Sequence, residues 1–136
     1  MCIFCKIATG DISARMIYEN DEFCVFLDQY PASPGHTLVI PKAHYANIFE
    51  MPSELVGRLY ELVQRVATSL RHSLDTPHVN ILQNNGSLAG QTVFHYHVHI
   101  IPRYEGDGVT MKWSSSSPPT ETELERMLSK LSNNLH

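Results

Sequence analysis

The run His95-Tyr96-His97-Val98-His99-Ile100-Ile101 restricts the architecture of this chain more than any other stretch. Imidazole and bulky apolar residues alternate through it, and a period of two belongs to a β-strand, whose successive side chains point to opposite faces. A strand over 93–101 places His95, His97 and His99 on one face and Phe94, Tyr96, Val98 and Ile100 on the other. Such a strand needs an apolar layer on one side and room for three titratable rings on the other. At ~3.3 Å rise per residue, same-face neighbours lie about 6.6 Å apart, so the rings can line a ligand channel without stacking. Three uses of the row fit the alternation. A metal would take neutral rings, a further ligand and an open water position. Phosphate chemistry would use one neutral ring as nucleophile while its neighbours, charged or fixed in one tautomer, donate to phosphate oxygens. A solvated edge strand with a histidine-rich polar face is the third.

Other segments supply the layer that strand requires. Phe23, Val25, Phe26 and Leu27 mark a strand over 22–28 that ends in the turn Asp28-Gln29-Tyr30-Pro31-Ala32-Ser33-Pro34-Gly35. His36 to Ile40 reads as its antiparallel partner, closed by Pro41, which cannot continue a central ladder. Leu55, Leu59, Leu62, Val66 and Leu70 recur at helical spacing and predict a long helix over 53–74. A strand through Val79, Ile81 and Leu82, the loop 84–90 and the histidine run form a second hairpin. Thr120 and Glu123 have capping-box spacing before a short amphipathic helix carrying Leu124, Met127, Leu128 and Leu131. The expected fold is α+β: an antiparallel sheet, one long helix and a short C-terminal helix. Residues 1–112 form the domain, 113–119 a Ser/Pro-rich linker, and 120–136 the terminal helix and tail.

With 136 residues, 43% of them hydrophobic, one core is large enough to fold without disulfides. A net charge of −4 argues against duplex nucleic acid as a partner. The sequence has neither a membrane-length apolar run nor a signal-like N-terminus, so a soluble, cytoplasmic protein is expected. Three cysteines do not make a disulfide framework; Cys2-Ile3-Phe4-Cys5 has the gap of a metal knuckle or redox pair, and Cys24 reads as core.

His95 to Ile101 resembles the histidine triad (HIT) family signature, His-φ-His-φ-His-φ-φ with φ apolar, at every position. Ala89-Gly90-Gln91-Thr92-Val93 looks like that family's phosphate loop, and Gly35 to Lys42 like its second strand. The likeness extends from Cys2 to about Asp107. It implies that His97 is the nucleophile, forming a covalent nucleotidyl intermediate on the α-phosphorus, and that His99 donates to the phosphate oxygens. By the same resemblance Asn84, Gly90, Gln91 and Thr92 hold the phosphate chain, Asp28 accepts from ribose hydroxyls, and His36 supports the triad. Phe4, Ile7, Phe26 and Leu27 are candidate walls for a base. Members that begin with Cys-x-x-Cys resemble this chain further, and imply a structural Zn2+ on Cys2, Cys5, His44 and His95 and a homodimer through the long helix and an edge strand. The implied substrate is a purine nucleotide. The phosphate loop and Ile101-Pro102-Arg103 resemble dinucleoside polyphosphate hydrolases, while Asp28 and Pro41-Lys42 resemble the phosphoramidate-cleaving branch. A non-catalytic nucleotide-binding regulatory module and a zinc hydrolase with metal on the triad are the alternatives.

Overall fold

The computed structural model describes residues 2–113 and 117–135. The chain runs through α1 (Ile3–Thr9), β1 (Met16–Glu19), β2 (Phe23–Leu27), β3 (Thr37–Pro41), α2 (Ser53–Ser73), β4 (Val79–Gln83), a 3-10 turn at Ser87–Ala89, β5 (Val98–Pro102) and α3 (Glu121–Ser132). The five strands form one antiparallel sheet in the order β1-β2-β3-β5-β4. Both expected hairpins and the long helix are present, and Pro41 is the last residue of β3.

β2 and β3 read as nearly unbroken apolar runs because both of their faces are covered. Phe23, Val25 and Val39 face α2, where Leu55, Leu59, Leu62, Val63 and Val66 complete the larger core. Cys24, Phe26, Leu38 and Ile40 face the other way, onto Phe4 and Ile7 of α1. Burying each of these large side chains contributes about 1.5–3 kcal/mol, so α2 is held by its stripe rather than by a cap: Pro52 at its N-cap makes no side-chain cap bond. Among the described residues no helix is long and apolar enough to cross a membrane.

The structure corrects the reading of the histidine run. The ladder begins at Val98, so His95, Tyr96 and His97 lie outside β5. The Tyr96 N–H donates 2.7 Å to the Tyr45 carbonyl, in the connection after β3, and not to β4. The alternation of faces survives this departure. Tyr96, Val98 and Ile100 enter the α2 core, although Phe94, expected with them, is 48% exposed. α1 and β1 were not anticipated. Ile3, Phe4 and Ile7 with Lys6 in the last turn and Gly10 just beyond were the available signal for α1: Gly10 has φ 84° and returns its N–H to the Ile7 carbonyl.

The linker expected over 113–119 includes 114–116, which lie outside the described residues; Trp113 and 117–119 on either side are exposed. Thr120 caps α3 as anticipated, its Oγ1 accepting the Glu123 N–H at 3.2 Å.

Candidate active site

Two groups of imidazoles share this stretch of chain, and each is organised by a different backbone partner. The first joins Cys2, Cys5, His44 and His95. Cys2 is the N-cap of α1, its Sγ accepting the Cys5 N–H at 3.2 Å, which sets the two sulfurs 3.1 Å apart. His44 Nδ1 lies 3.6 and 3.2 Å from the two sulfurs, His95 Nδ1 3.4 and 3.5 Å, and the two nitrogens are 3.3 Å apart. These six edges form a nearly regular tetrahedron, whose centre is about 2.1 Å from each corner, at zinc–nitrogen distance (~2.0–2.1 Å) and slightly short of zinc–sulfur (~2.3 Å). The Pro41 carbonyl accepts from His95 Nε2 at 2.7 Å. A carbonyl can only accept, so the proton is on Nε2 and the Nδ1 lone pair faces the tetrahedron, as a metal-ligating histidine requires. Four protein donors close the set. The residues therefore fit a structural Zn2+, which would fasten α1 to the histidine segment.

The second group joins Asp28, His36, His97 and His99. The Ala32 N–H donates to His36 Nδ1 at 3.0 Å. Because that nitrogen must accept, His36 is neutral with its proton on Nε2, and it donates to His99 Nδ1 at 2.9 Å. His99 in turn carries its proton on Nε2. Asp28 Oδ2 stands 3.5 Å from His36 Nε2, while its Oδ1 accepts the Tyr30 N–H at 2.8 Å. His97 Nδ1 donates to the His95 carbonyl at 2.7 Å, so its Nε2 bears the free lone pair. The relay thus ends in an N–H on His99 Nε2 beside an unprotonated Nε2 on His97.

Burial holds all three rings of this group neutral. It pushes His97 and His36 below the ordinary imidazole range, against the pull of the His95 carbonyl and Asp28 on His97 and of Asp28 on His36. His99 falls to about 4, first through burial and then through His97 and His36. The ring centroids of His97 and His99 are 4.9 Å apart at 67°, closer than a regular strand would set them, because residue 97 has left the ladder. Phe4 packs edge-on against His97 at 5.1 Å and against His95 at 6.0 Å, so a single α1 side chain touches both groups.

His97 and His99 open onto a cavity of about 900 Å³. Phe4, Ile7, Phe26 and Leu27, the candidate base walls, all line it, with Asp28 and Thr92 as polar groups. That mixture of apolar wall and few polar groups is usual for a small-molecule site. Ile12 and Arg15 also line it and were not anticipated, because β1 and the preceding bend were not; Tyr30 joins them from the turn after β2. Of the four phosphate-loop candidates, Thr92 lines the cavity. Gln91 is 3% exposed, and its amide is spent on backbone: Oε1 accepts the Gly86 N–H at 2.8 Å, while Nε2 donates to Ala46 O at 2.6 Å and Val93 O at 3.1 Å. Asn84 Nδ2 reaches the Gly90 carbonyl at 3.4 Å, and Gly90 takes φ 92°, open to glycine and strained for other residues.

Comparison with known proteins places this geometry. A family model described as the HIT domain matches residues 9–106. Protein hit of Bacillus subtilis is 44% identical over 123 residues, 90% of this chain and 85% of the relative. The adenosine 5'-monophosphoramidase HNT1 of Saccharomyces cerevisiae is 38% identical over 127 residues, 93% of this chain and 75% of that protein. The crystal structure of a B. subtilis HIT family member, 41% identical, superposes with a TM-score of 0.91 over 99% of this chain and 97% of its own. A zinc-bound histidine triad family protein from Mycobacterium smegmatis, 37% identical, does so with a TM-score of 0.76 over 98% and 97%. On the triad, the fold and these matches together, the chain belongs to the HIT domain family.

Proposed function

We propose that this chain is a nucleotidyl hydrolase or transferase that cleaves at the α-phosphate of a nucleoside phosphoramidate or dinucleoside polyphosphate through a nucleotidyl-His97 intermediate. The observation that carries the reading is the His97 Nδ1 bond to the His95 carbonyl, which leaves Nε2 unprotonated in a ring that lines the cavity. A neutral imidazole escapes the repulsion that an anionic nucleophile meets at phosphorus. Nε2 attacks the α-phosphorus, and the P–N or P–O bond breaks with its electron pair on the leaving phosphate or on the leaving nitrogen, which takes a proton from solvent and departs as the amine. Water then attacks the same phosphorus and gives its proton to solvent, and the P–Nε2 bond breaks with its pair returning to His97. The His99 Nε2–H is placed to donate to a phosphate oxygen in both steps without reorganisation. Asp28 suits ribose hydroxyls, Thr92 the phosphate, and Phe4, Ile7, Phe26 and Leu27 a purine. Asn84, Gly90 and Gln91 act by shaping the loop that presents Thr92. The name of the yeast relative, an AMP phosphoramidase, supports the phosphoramidate as first substrate to try.

A catalytic metal on the other group of possible ligands, Asp28, His36 and His99, fits poorly. Binding at His36 Nε2 would move its proton to Nδ1, against the Ala32 N–H. Zn2+ belongs on Cys2, Cys5, His44 and His95, where it would hold α1 as a wall of the cavity. A homodimer through α2 and β4 is part of the same reading. β4 is an edge strand with Ile81 and Leu82 exposed, and Gly57 sits inside α2 with open space around it. Turnover of AMP phosphoramidate, Ap3A and Ap4A by the wild type and His97→Ala is the test: no turnover of any of them, or undiminished turnover by the variant, would reject the nucleophile.

A further inference from the structure

α3 is a helix with an apolar face that nothing covers among the described residues. None of its residues is buried: Leu124 is 50% exposed, Met127 53%, Leu128 60% and Leu131 62%. Their spacing of three and four puts all four on one side of the helix. A lone helix of this length is marginal in water, and a contiguous stripe of four large apolar residues marks a docking face. The charges beside the stripe name the occupant. The first half carries Glu121, Glu123 and Glu125 with Arg126 at its end, and the second half carries Lys130 and no acidic residue.

We propose that α3 docks on the α3 of a second copy of this chain, antiparallel, through Leu124, Met127, Leu128 and Leu131. In that register Leu124 lies opposite Leu131 and Met127 opposite Leu128. Glu123 and Lys130, which lie on the same flank of the stripe but two turns apart, then meet across the pair and do so twice by symmetry. A parallel two-fold pairing would leave Glu123 of one helix and Lys130 of the other on opposite sides of the pair, where they cannot meet. The contact is isologous, as a two-fold dimer requires. Alone it is smaller than a stable interface, for which ~1,200 Å² is the usual lower bound, so it reinforces a dimer held elsewhere as well. It does not depend on the chemistry assigned to His97.

Hydrogen exchange of the full chain, read by mass spectrometry over 120–132, tests the pairing locally. The expected result is protection of the α3 amides at high-micromolar concentration, at least tenfold over unfolded chain, declining on dilution. Leu124→Glu with Leu131→Glu should abolish that protection while amides of 53–73 keep theirs, which shows that the body remains folded. Lys130→Glu should reduce it several-fold, and adding Glu123→Lys should restore most of the loss. Exchange of wild-type α3 at the unfolded rate would overturn the proposal. So would protection that persists on dilution to a concentration at which light scattering shows only monomer, which would put the helix on its own chain. A double charge reversal no better than the single one would overturn the antiparallel register.

Discussion

His95 and His97 are two residues apart, yet they belong to different groups, and the contrast between the groups shows how the backbone selects which nitrogen an imidazole offers. In the Cys2–Cys5–His44–His95 group, the Pro41 carbonyl takes the Nε2 proton of His95 and turns Nδ1 towards two sulfurs. In the His36–His97–His99 group, the His95 carbonyl takes the Nδ1 proton of His97, and the Ala32 N–H fills Nδ1 of His36. The same ring therefore offers opposite nitrogens, and the backbone makes the choice. A tetrahedron of four protein donors has no room for a reacting water, whereas the second group opens onto a cavity. Phe4 is the mechanical link between them.

The sharpest way to break the contrast is to delete one ring from each group. His97→Ala removes the attacking nitrogen and should lower kcat by roughly 10³–10⁶-fold, as loss of a nucleophile does elsewhere, with the melting temperature little changed. Cys2→Ser with Cys5→Ser, or removal of zinc by a chelator, should do the reverse. The melting temperature should fall by about 10 °C, corresponding to some 2–3 kcal/mol, and KM should rise as α1 loosens, while residual kcat below the melting range stays within about tenfold of wild type. Loss of all turnover on chelation, with the fold intact by circular dichroism, would move the metal to the chemistry.

A smaller effect is expected from the relay. His36→Ala leaves the His99 tautomer unfixed and should lower kcat about 10–100-fold, by analogy with loss of a ring-orienting partner. A His36→Ala enzyme with unchanged kcat would make the 2.9 Å contact to His99 incidental. The smallest effect is on pH. Burial depresses the His36, His97 and His99 values, His99 to about 4, so the neutral active form persists below the usual imidazole range. The profile of kcat/KM should stay flat from pH 8 down to about 5.5, without the decline near 6.5 of an unperturbed imidazole. Stability carries the same sign. A depressed pKa lets the unfolded chain bind protons first, so stability is full above about 6.5 and is lost as pH falls towards 4.

Both core strands and α2 were legible in the sequence because their apolar residues keep one period over their whole length. The two groups of histidines were legible as a set through the family resemblance, but their division of labour at the atomic level was not. It depends on the carbonyls of Pro41 and His95 and the N–H of Ala32, groups every sequence contains and none advertises. The strand expected over 93–101 was half wrong for a related reason: its alternation is real, but Tyr96 bonds to Tyr45 and Gln91 binds three backbone groups around it, drawing 95–97 out of the ladder. That the Gln91 side-chain amide is occupied by three backbone groups is likewise invisible in the sequence. α1 was missed because seven residues carry little periodic signal, and with it went the wall, through Phe4, that touches both His95 and His97.

The central claim is that Nε2 of His97 forms a bond to phosphorus, and rapid quench of wild type with AMP phosphoramidate followed by intact and peptide mass spectrometry tests it most directly. The account predicts an adenylyl adduct on the peptide containing His97, appearing within the first turnover, labile to acid, and missing in His97→Ala. An adduct on His95 or His99, or steady turnover with no adduct at any quench time, would contradict it.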